Sequence, residues 1–181
     1  YEKVKEYLYE YQIPEIEKLA ALFSRTGYPE FKEIYFGGGS PTYYREDEFL
    51  ALRGALSKIV DFSKVDTWTV EIDPRRVDEA RLHFYGDQGV NRLSFGIQDF
   101  DHQVQVEINR VQPPELLDDL LTSEVRSRFK EINFDLLIGL PKQTVSSIRN
   151  TIDEVVRLKP TQLQTMYVHY KPDVRKYMTR M

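Results

Sequence analysis

The stretch "EIYFGGGSPTYY", Glu33 to Tyr44, runs an apolar, aromatic segment straight into three glycines. A glycine triplet costs conformational entropy on folding, so its presence asks for a reason. A flexible turn is the plainest one. Pro41 argues against it, because proline fixes its own φ and restrains the residue before it. The other reason is a ligand that approaches the backbone where no Cβ interferes. The surrounding sequence decides between them.

"EIYFG" (33–37) has four counterparts rich in β-branched and aromatic residues: "TWTVEID" (67–73), "RLSFGIQ" (92–98), "INFDLLIG" (132–139) and "LQTMYVHY" (163–170). Helical patterns lie between them. In "REDEFLALRGALSKIV", Phe49, Leu52, Leu56 and Val60 recur at helical spacing. "PPELLDDLLTSEVRSRF" opens with prolines suited to a first helical turn. "VSSIRNTIDEVVRL" puts Ile148, Ile152, Val155 and Val156 on one face, with Thr144 as N-cap and Pro160 past its end. The tyrosine-rich start, "YEKVKEYLYEYQ", reads as an amphipathic helix covering an edge.

Strands alternating with helices predict a parallel sheet with right-handed crossovers. No linker or composition break divides residues 1–181, so one α/β domain is expected. An open doubly wound sheet and a (β/α) barrel or part-barrel both satisfy the rhythm. Polar residues and glycines at the strand ends favour the barrel, whose C-terminal strand ends converge on one mouth. They are Gly37 to Gly39, Glu71 and Asp73, Gln98 and Asp99, Asp135, and His169.

The composition narrows the function. A net charge of −4 gives no electrostatic case for nucleic acid or an anionic membrane. No stretch has the length of a membrane span and no signal peptide opens the chain, which predicts a cytoplasmic protein. With no cysteine among the 181 residues, disulfides, thiolate catalysis and thiolate-bound metal are excluded within them. A chain that begins at Tyr1 inside a helical pattern is expected to be a fragment or a partly ordered chain.

"GGGSPT" lacks the Lys-Ser/Thr of a P-loop and the spacing of the dinucleotide fingerprint. Glu71, Asp73 and Asp135 would repel phosphate. They suit an ammonium group and ribose hydroxyls instead, while Arg110 suits a carboxylate. An amino acid joined to a nucleoside, such as S-adenosylmethionine, meets that description. Ser40 has no histidine partner in sequence, which excludes a hydrolase nucleophile; His83 and His102 read as surface residues in a helix and a loop. No His/carboxylate spacing resembles a metal site. Tyr43 and Tyr44 are placed to cap a core or to pack against an adenine.

"YFGGGSPT", "EIDPR", "GVNRLSFGIQDFDHQVQVEINRVQ" and "FDLLIGLPKQT", in that order between Glu33 and His169, resemble the oxygen-independent coproporphyrinogen III oxidase family of radical S-adenosylmethionine enzymes. The resemblance implies a partial (β/α) barrel of parallel strands. It also implies anaerobic haem synthesis, with two propionates of coproporphyrinogen III converted to vinyl groups. In that chemistry a [4Fe–4S] cluster cleaves S-adenosylmethionine reductively, and the resulting 5′-deoxyadenosyl radical abstracts hydrogen from the propionate. Gly38 and Glu71 then correspond to contacts with the cleaved S-adenosylmethionine. Gly39, Ser40, Gln98, Arg110 and Asp135 correspond to contacts with a second one, and His169 to a strand-end backbone contact. A tetrapyrrole substrate and an electron donor are the implied partners.

The family holds its cluster with Cys-x-x-x-Cys-x-x-Cys, which would lie before Tyr1, and its C-terminal domain would follow Met181. The residues present are therefore expected to hold no cluster, to include no catalytic residue or metal ligand, and to be catalytically silent by themselves. Ser40 stands where the family usually has threonine, which preserves the hydroxyl. "MYVHYKPDVRKYMTRM" departs from the family's usual "NYAH"-type segment. That departure leaves an anaerobic haem-degrading radical methyltransferase or a haem chaperone as alternatives, while "EIDPR" and "IQDF" favour the oxidase.

Overall fold

The computed structural model describes residues 2–169. Five strands form one sheet in chain order: β1 (Glu33–Phe36), β2 (Thr67–Ile72), β3 (Arg92–Gln98), β4 (Glu131–Ile138) and β5 (Gln162–Tyr167). Every neighbouring pair is parallel. β1 and β5 are its two edges, and the unreversed strand order gives a part-barrel, not a doubly wound sheet.

Each inner strand has two faces, because successive side chains point to opposite sides of the pleat. Trp68, Val70 and Ile72 alternate along β2, as do Leu93, Phe95 and Ile97 along β3 and Ile132, Phe134 and Leu136 along β4; all are buried. Helices pack on this apolar face. Phe49 of α3 (Glu46–Leu56), Leu82 and Tyr85 of α4 (Glu79–Asp87), and Val155 and Leu158 of α8 (Val145–Leu158) join the same core. Full burial of such a side chain is worth about 1.5–3 kcal/mol. The opposite face carries Glu71, Ser94, Gln98, Asn133 and Asp135. It is polar, and it is the side on which a site can form.

Several boundaries differ from the sequence reading. Gly37 and Asp73 fall just beyond β1 and β2, and β4 and β5 each start one residue earlier than expected. Tyr170, assigned to the last strand by sequence, lies outside the described residues. Residues 113–129 make two short helices, α6 (Glu115–Leu120) and α7 (Ser123–Arg128). Thr122 divides them: its hydroxyl accepts from the Val125 N–H and so starts a new helix. His102 is not in a loop. It opens α5 (His102–Glu107), behind Asp101, whose carboxylate accepts from the Gln103 and Val104 amides. Thr144 caps α8 as expected, in a reciprocal box with Ser147.

The N-terminal segment winds as α1 (Glu2–Glu6), a π-helical stretch (Tyr7–Gln12) and α2 (Ile13–Thr26). Pro14 lacks the N–H that would continue the α-ladder, and the preceding turn widens so that Ile13 N–H reaches Leu8 O, five residues back. Leu8 and Ile16 bury against Leu52, Ala55, Ile59 and Val60, with Ile34 and Phe36 of β1 alongside. The helix thus lies over α3 and reaches only the flank of the edge strand.

Candidate cofactor site

The glycine triplet combines two requirements. Gly38 and Gly39 have φ of 73° and 64°, the left-handed region that other residues enter at a cost. A Cβ on either would meet nothing within 4 Å, so their faces are open. Gly37 is glycine for space: a Cβ there would lie 2.4 Å from Tyr35 Cε1 and 2.8 Å from Glu71 Oε1. Buried Pro41 and Thr42 anchor the turn, and Ser40 Oγ hydrogen-bonds Thr42 Oγ1 at 2.8 Å. A cavity of about 970 Å³ opens beside it, between the N-terminal helix and the glycines.

Glu71 is held from β1. The Gly38 N–H donates to its Oε2 at 3.1 Å, and the Tyr35 hydroxyl donates to its Oε1 at 2.9 Å. Asp135 is held from its own sheet. Ser94 Oγ donates to Asp135 Oδ2 at 2.8 Å, and Asn133 Nδ2 donates to Asp135 Oδ1 at 2.7 Å and to Ser94 Oγ at 2.8 Å. Asn133 Oδ1 is buried with no partner among the described residues. A buried acceptor of this kind costs free energy unless something donates to it.

The third part of the site is a bulge. The β3–β4 register slips between Gly96 and Gln98, and Gln98 takes a φ of 68°. Its Oε1 is also buried without a partner among the described residues. Arg110 reaches back to this bulge: its Nη2 donates to Gly96 O at 2.9 Å and its Nε to Gln112 Oε1 at 3.2 Å. Burial pulls Arg110 below its ordinary pKa, with Asp73 acting in the opposite sense. Asp73 lies 3.9 Å from Arg110 Nη2 but is committed to Arg75, which grips it at 2.9 and 2.8 Å. Burial alone would push Asp73 up; the Arg75 hydrogen bonds and the Arg110 charge outweigh it and hold the carboxyl below the usual range.

The structure therefore brings Gly38, Gly39, Ser40, Glu71, Gln98, Arg110 and Asp135 to one region, though not all at strand ends. Glu71 and Asp135 stand within β2 and β4, and the pleat aims them onto the polar face. Asp73 borders this region through Arg110 but is spent on Arg75, and Asp99 turns away to α8. Asp99 is fully buried and accepts from Thr151 Oγ1 at 2.7 Å and Gln143 Nε2 at 2.6 Å, tying β3 to α8. His169 is exposed, two residues past β5. Tyr44 donates to Gln12 Oε1 and packs in the core, while Tyr43 supports the Arg76 guanidinium at 4.0 Å, a cation–π contact. His83, with Glu79 and Glu124, brings three donor atoms within 4.8 Å on α4 and α7, away from the polar face. Sequence reading missed Tyr35, Ser94 and Asn133. The two-residue alternation of apolar side chains would have placed all of them opposite the core.

The helix-backed parallel part-barrel thus carries a glycine turn and two braced carboxylates on its polar face. Residues 1–155 match the family model of the radical SAM superfamily, and the chain belongs to that superfamily. Among similar proteins, an oxygen-independent coproporphyrinogen III oxidase from Helicobacter pylori is 35% identical over 153 residues, 84% of this chain and 34% of that protein. One from Pseudomonas aeruginosa is 34% identical over 163 residues, 89% of this chain and 35% of the other. The solved coproporphyrinogen III oxidase of Escherichia coli, a radical SAM enzyme, superposes with a TM-score of 0.87 at 31% identity, covering 99% of this chain and 40% of that one. The chain thus spans about a third of the length of the curated relatives it matches.

The superfamily implies S-adenosylmethionine and an iron–sulfur cluster. The residues present fit the first: open left-handed glycines expose backbone groups, and the unpartnered acceptors Gln98 Oε1 and Asn133 Oδ1 suit hydroxyl or amino donors. They do not fit the second, because no cysteine occurs in the sequence to ligate it.

Proposed function

We propose that this chain is the barrel core of an oxygen-independent coproporphyrinogen III oxidase, acting in anaerobic haem synthesis on the propionates of a porphyrinogen. The observation that carries the reading is the pairing of two carboxylates, Glu71 and Asp135, braced on one polar face beside the open Gly38–Gly39 turn. The 34–35% identity to relatives bearing that name supports the reaction class. S-adenosylmethionine, when bound and reduced by a cluster held outside these residues, would supply the hydrogen-abstracting chemistry, and the residues present would position and shield it.

Each residue then has a task. Glu71 accepts hydrogen bonds from the cleaved S-adenosylmethionine, next to the Gly38 backbone. Asp135 accepts from the ribose of a second molecule, Arg110 neutralises its carboxylate, and Gln98, Gly39 and Ser40 complete its contacts. His169 contributes a strand-end backbone contact. A tetrapyrrole substrate, an electron donor and a cytoplasmic setting belong to the same reading.

Calorimetric titration with S-adenosylmethionine tests it directly. Glu71→Ala and Asp135→Ala should each weaken binding by about 1.5–3 kcal/mol, the worth of a hydrogen bond to a charged group. Unchanged affinity in both variants would reduce the two carboxylates to fold-holding groups. For the substrate, the protein supplied with cluster-bearing residues should yield carbon dioxide and a vinyl porphyrinogen from coproporphyrinogen III. Turnover of haem instead would assign a haem-degrading relative.

A further inference from the structure

Tyr35 stands on an edge strand, with its ring half-exposed, yet its hydroxyl is the group that meets Glu71 Oε1, at 2.9 Å. The ring is fixed closely enough that Gly37 has no room for a Cβ beside Cε1. With the Gly38 amide on Oε2, the phenol gives each oxygen of Glu71 its own donor. Burial of the hydroxyl end, then the Glu71 hydrogen bond and charge, then the charge of Asp135, push the phenol up to about 12, while the Ser94 hydroxyl acts in the opposite sense. The phenol therefore remains a donor throughout the ordinary pH range. Glu71 stands in register with Ser94, which donates to Asp135, so the phenol acts on the carboxylate next to the Ser94–Asp135 arrangement.

We propose that Tyr35 is a positioning residue for S-adenosylmethionine, its hydroxyl orienting the Glu71 carboxylate between the glycine turn and the Ser94–Asp135 pair. The inference rests on the reading of Glu71 as a cofactor contact. A carboxylate with only the Gly38 amide to hold it would rotate about its terminal torsion, which is broad and weakly restrained. Its Oε1 would also lose the phenol that donates to it. The phenol removes that freedom, and preorganisation of this kind lowers the cost of binding.

A double-mutant cycle with S-adenosylmethionine as the titrant tests the proposal. Tyr35→Phe, Glu71→Gln and the double variant are compared by calorimetry after circular dichroism has matched their folds. Tyr35→Phe should weaken binding roughly tenfold, within the range of a hydrogen bond to a charged group. The double variant should bind about as weakly as Glu71→Gln alone, because the phenol acts through Glu71. Tyr35→His, which keeps a donor, should recover part of the loss and serves where the phenylalanine variant fails to fold. Wild-type affinity in Tyr35→Phe would overturn the proposal while leaving Glu71 as a contact. Losses that multiply in the double variant would overturn it too, since Tyr35 would then act elsewhere. Unchanged affinity in Glu71→Gln would remove the underlying reading and the proposal with it.

Discussion

Ser94 and Asp135 meet across the β3–β4 boundary although they are not register partners. Ser94 pairs with Asn133 and Gly96 with Asp135, yet the Ser94 hydroxyl reaches up one pleat to Asp135 Oδ2 at 2.8 Å. Gly96, the register partner of Asp135, brings no side chain of its own, and the space a Cβ would take there is filled by Gln98 Nε2 and Arg110 Nη2. A carboxylate in the middle of a sheet is thereby held by a neighbour two residues away on the adjoining strand.

Ser94→Ala should accordingly lower stability by about 1–3 kcal/mol, the range for a buried donor or acceptor stripped of its partner. Both Asp135 Oδ2 and Asn133 Nδ2 lose a partner. Urea unfolding gives the value directly, with an unchanged slope showing that the denatured state is not the cause.

The adjacent glycines should respond differently to alanine. Gly38→Ala clashes with no protein atom; it should cost roughly 1–2 kcal/mol from left-handed backbone strain, and it weakens binding only through the methyl it puts in the ligand's space. Gly37→Ala instead drives a Cβ against Tyr35 Cε1 and Glu71 Oε1. It should displace both side chains, so that binding of S-adenosylmethionine falls further than the melting temperature would suggest. Equal effects of the two variants on binding and melting would contradict this division.

Asp99→Ala should be among the most destabilising polar substitutions. It strips the buried Thr151 Oγ1 and the part-buried Asp101 N–H of this acceptor and leaves Gln143 Nε2 with Leu137 O. A loss of about 3 kcal/mol or more is expected, read by chemical denaturation, with Asp99→Asn milder because it retains one acceptor oxygen.

Tyr85 should behave in the opposite way. Its ring is fully buried, and its hydroxyl has no hydrogen-bond partner among the described residues. Tyr85→Phe should leave stability unchanged or raise it by up to about 1–3 kcal/mol, the cost of burying an unpaired hydroxyl. Burial pushes this phenol up to about 12, as it does Tyr35. A folded pKa above the unfolded one means stability is intact below about pH 10 and is lost as pH rises towards about 12. Tyrosinate absorbance followed through that window should rise together with unfolding.

The strand and helix rhythm was legible because it depends on local composition. β-branched and aromatic runs, the Thr144 cap and the glycine triplet all act within a few residues of chain. The break at Thr122 was less visible, since "PPELLDDLLTSEVRSRF" has helical composition throughout and only the threonine's choice to cap rather than continue divides it. Asp73 and Asp99 looked like site residues for the same reason that Glu71 and Asp135 did: each is an acid near a strand end. Composition cannot separate an acid aimed at a ligand from one spent on Arg75 or on Thr151 and Gln143.

By itself the sequence determined the class of fold, the parallel order implied by alternating elements, the backbone freedom at Gly38 and Gly39, and the absence of any thiolate ligand. Those properties follow from the covalent chain and its short-range preferences. Only the tertiary structure decided which polar groups face one another: that Tyr35 and the Gly38 amide clasp Glu71, that Ser94 and Asn133 brace Asp135, and that Arg110 folds back on the Gly96–Gln98 bulge. These pairings span 14 to 41 residues of sequence in all but the Asn133 case. They arise from strand register and the direction of the pleat, which are set when the whole apolar face is buried against its helices.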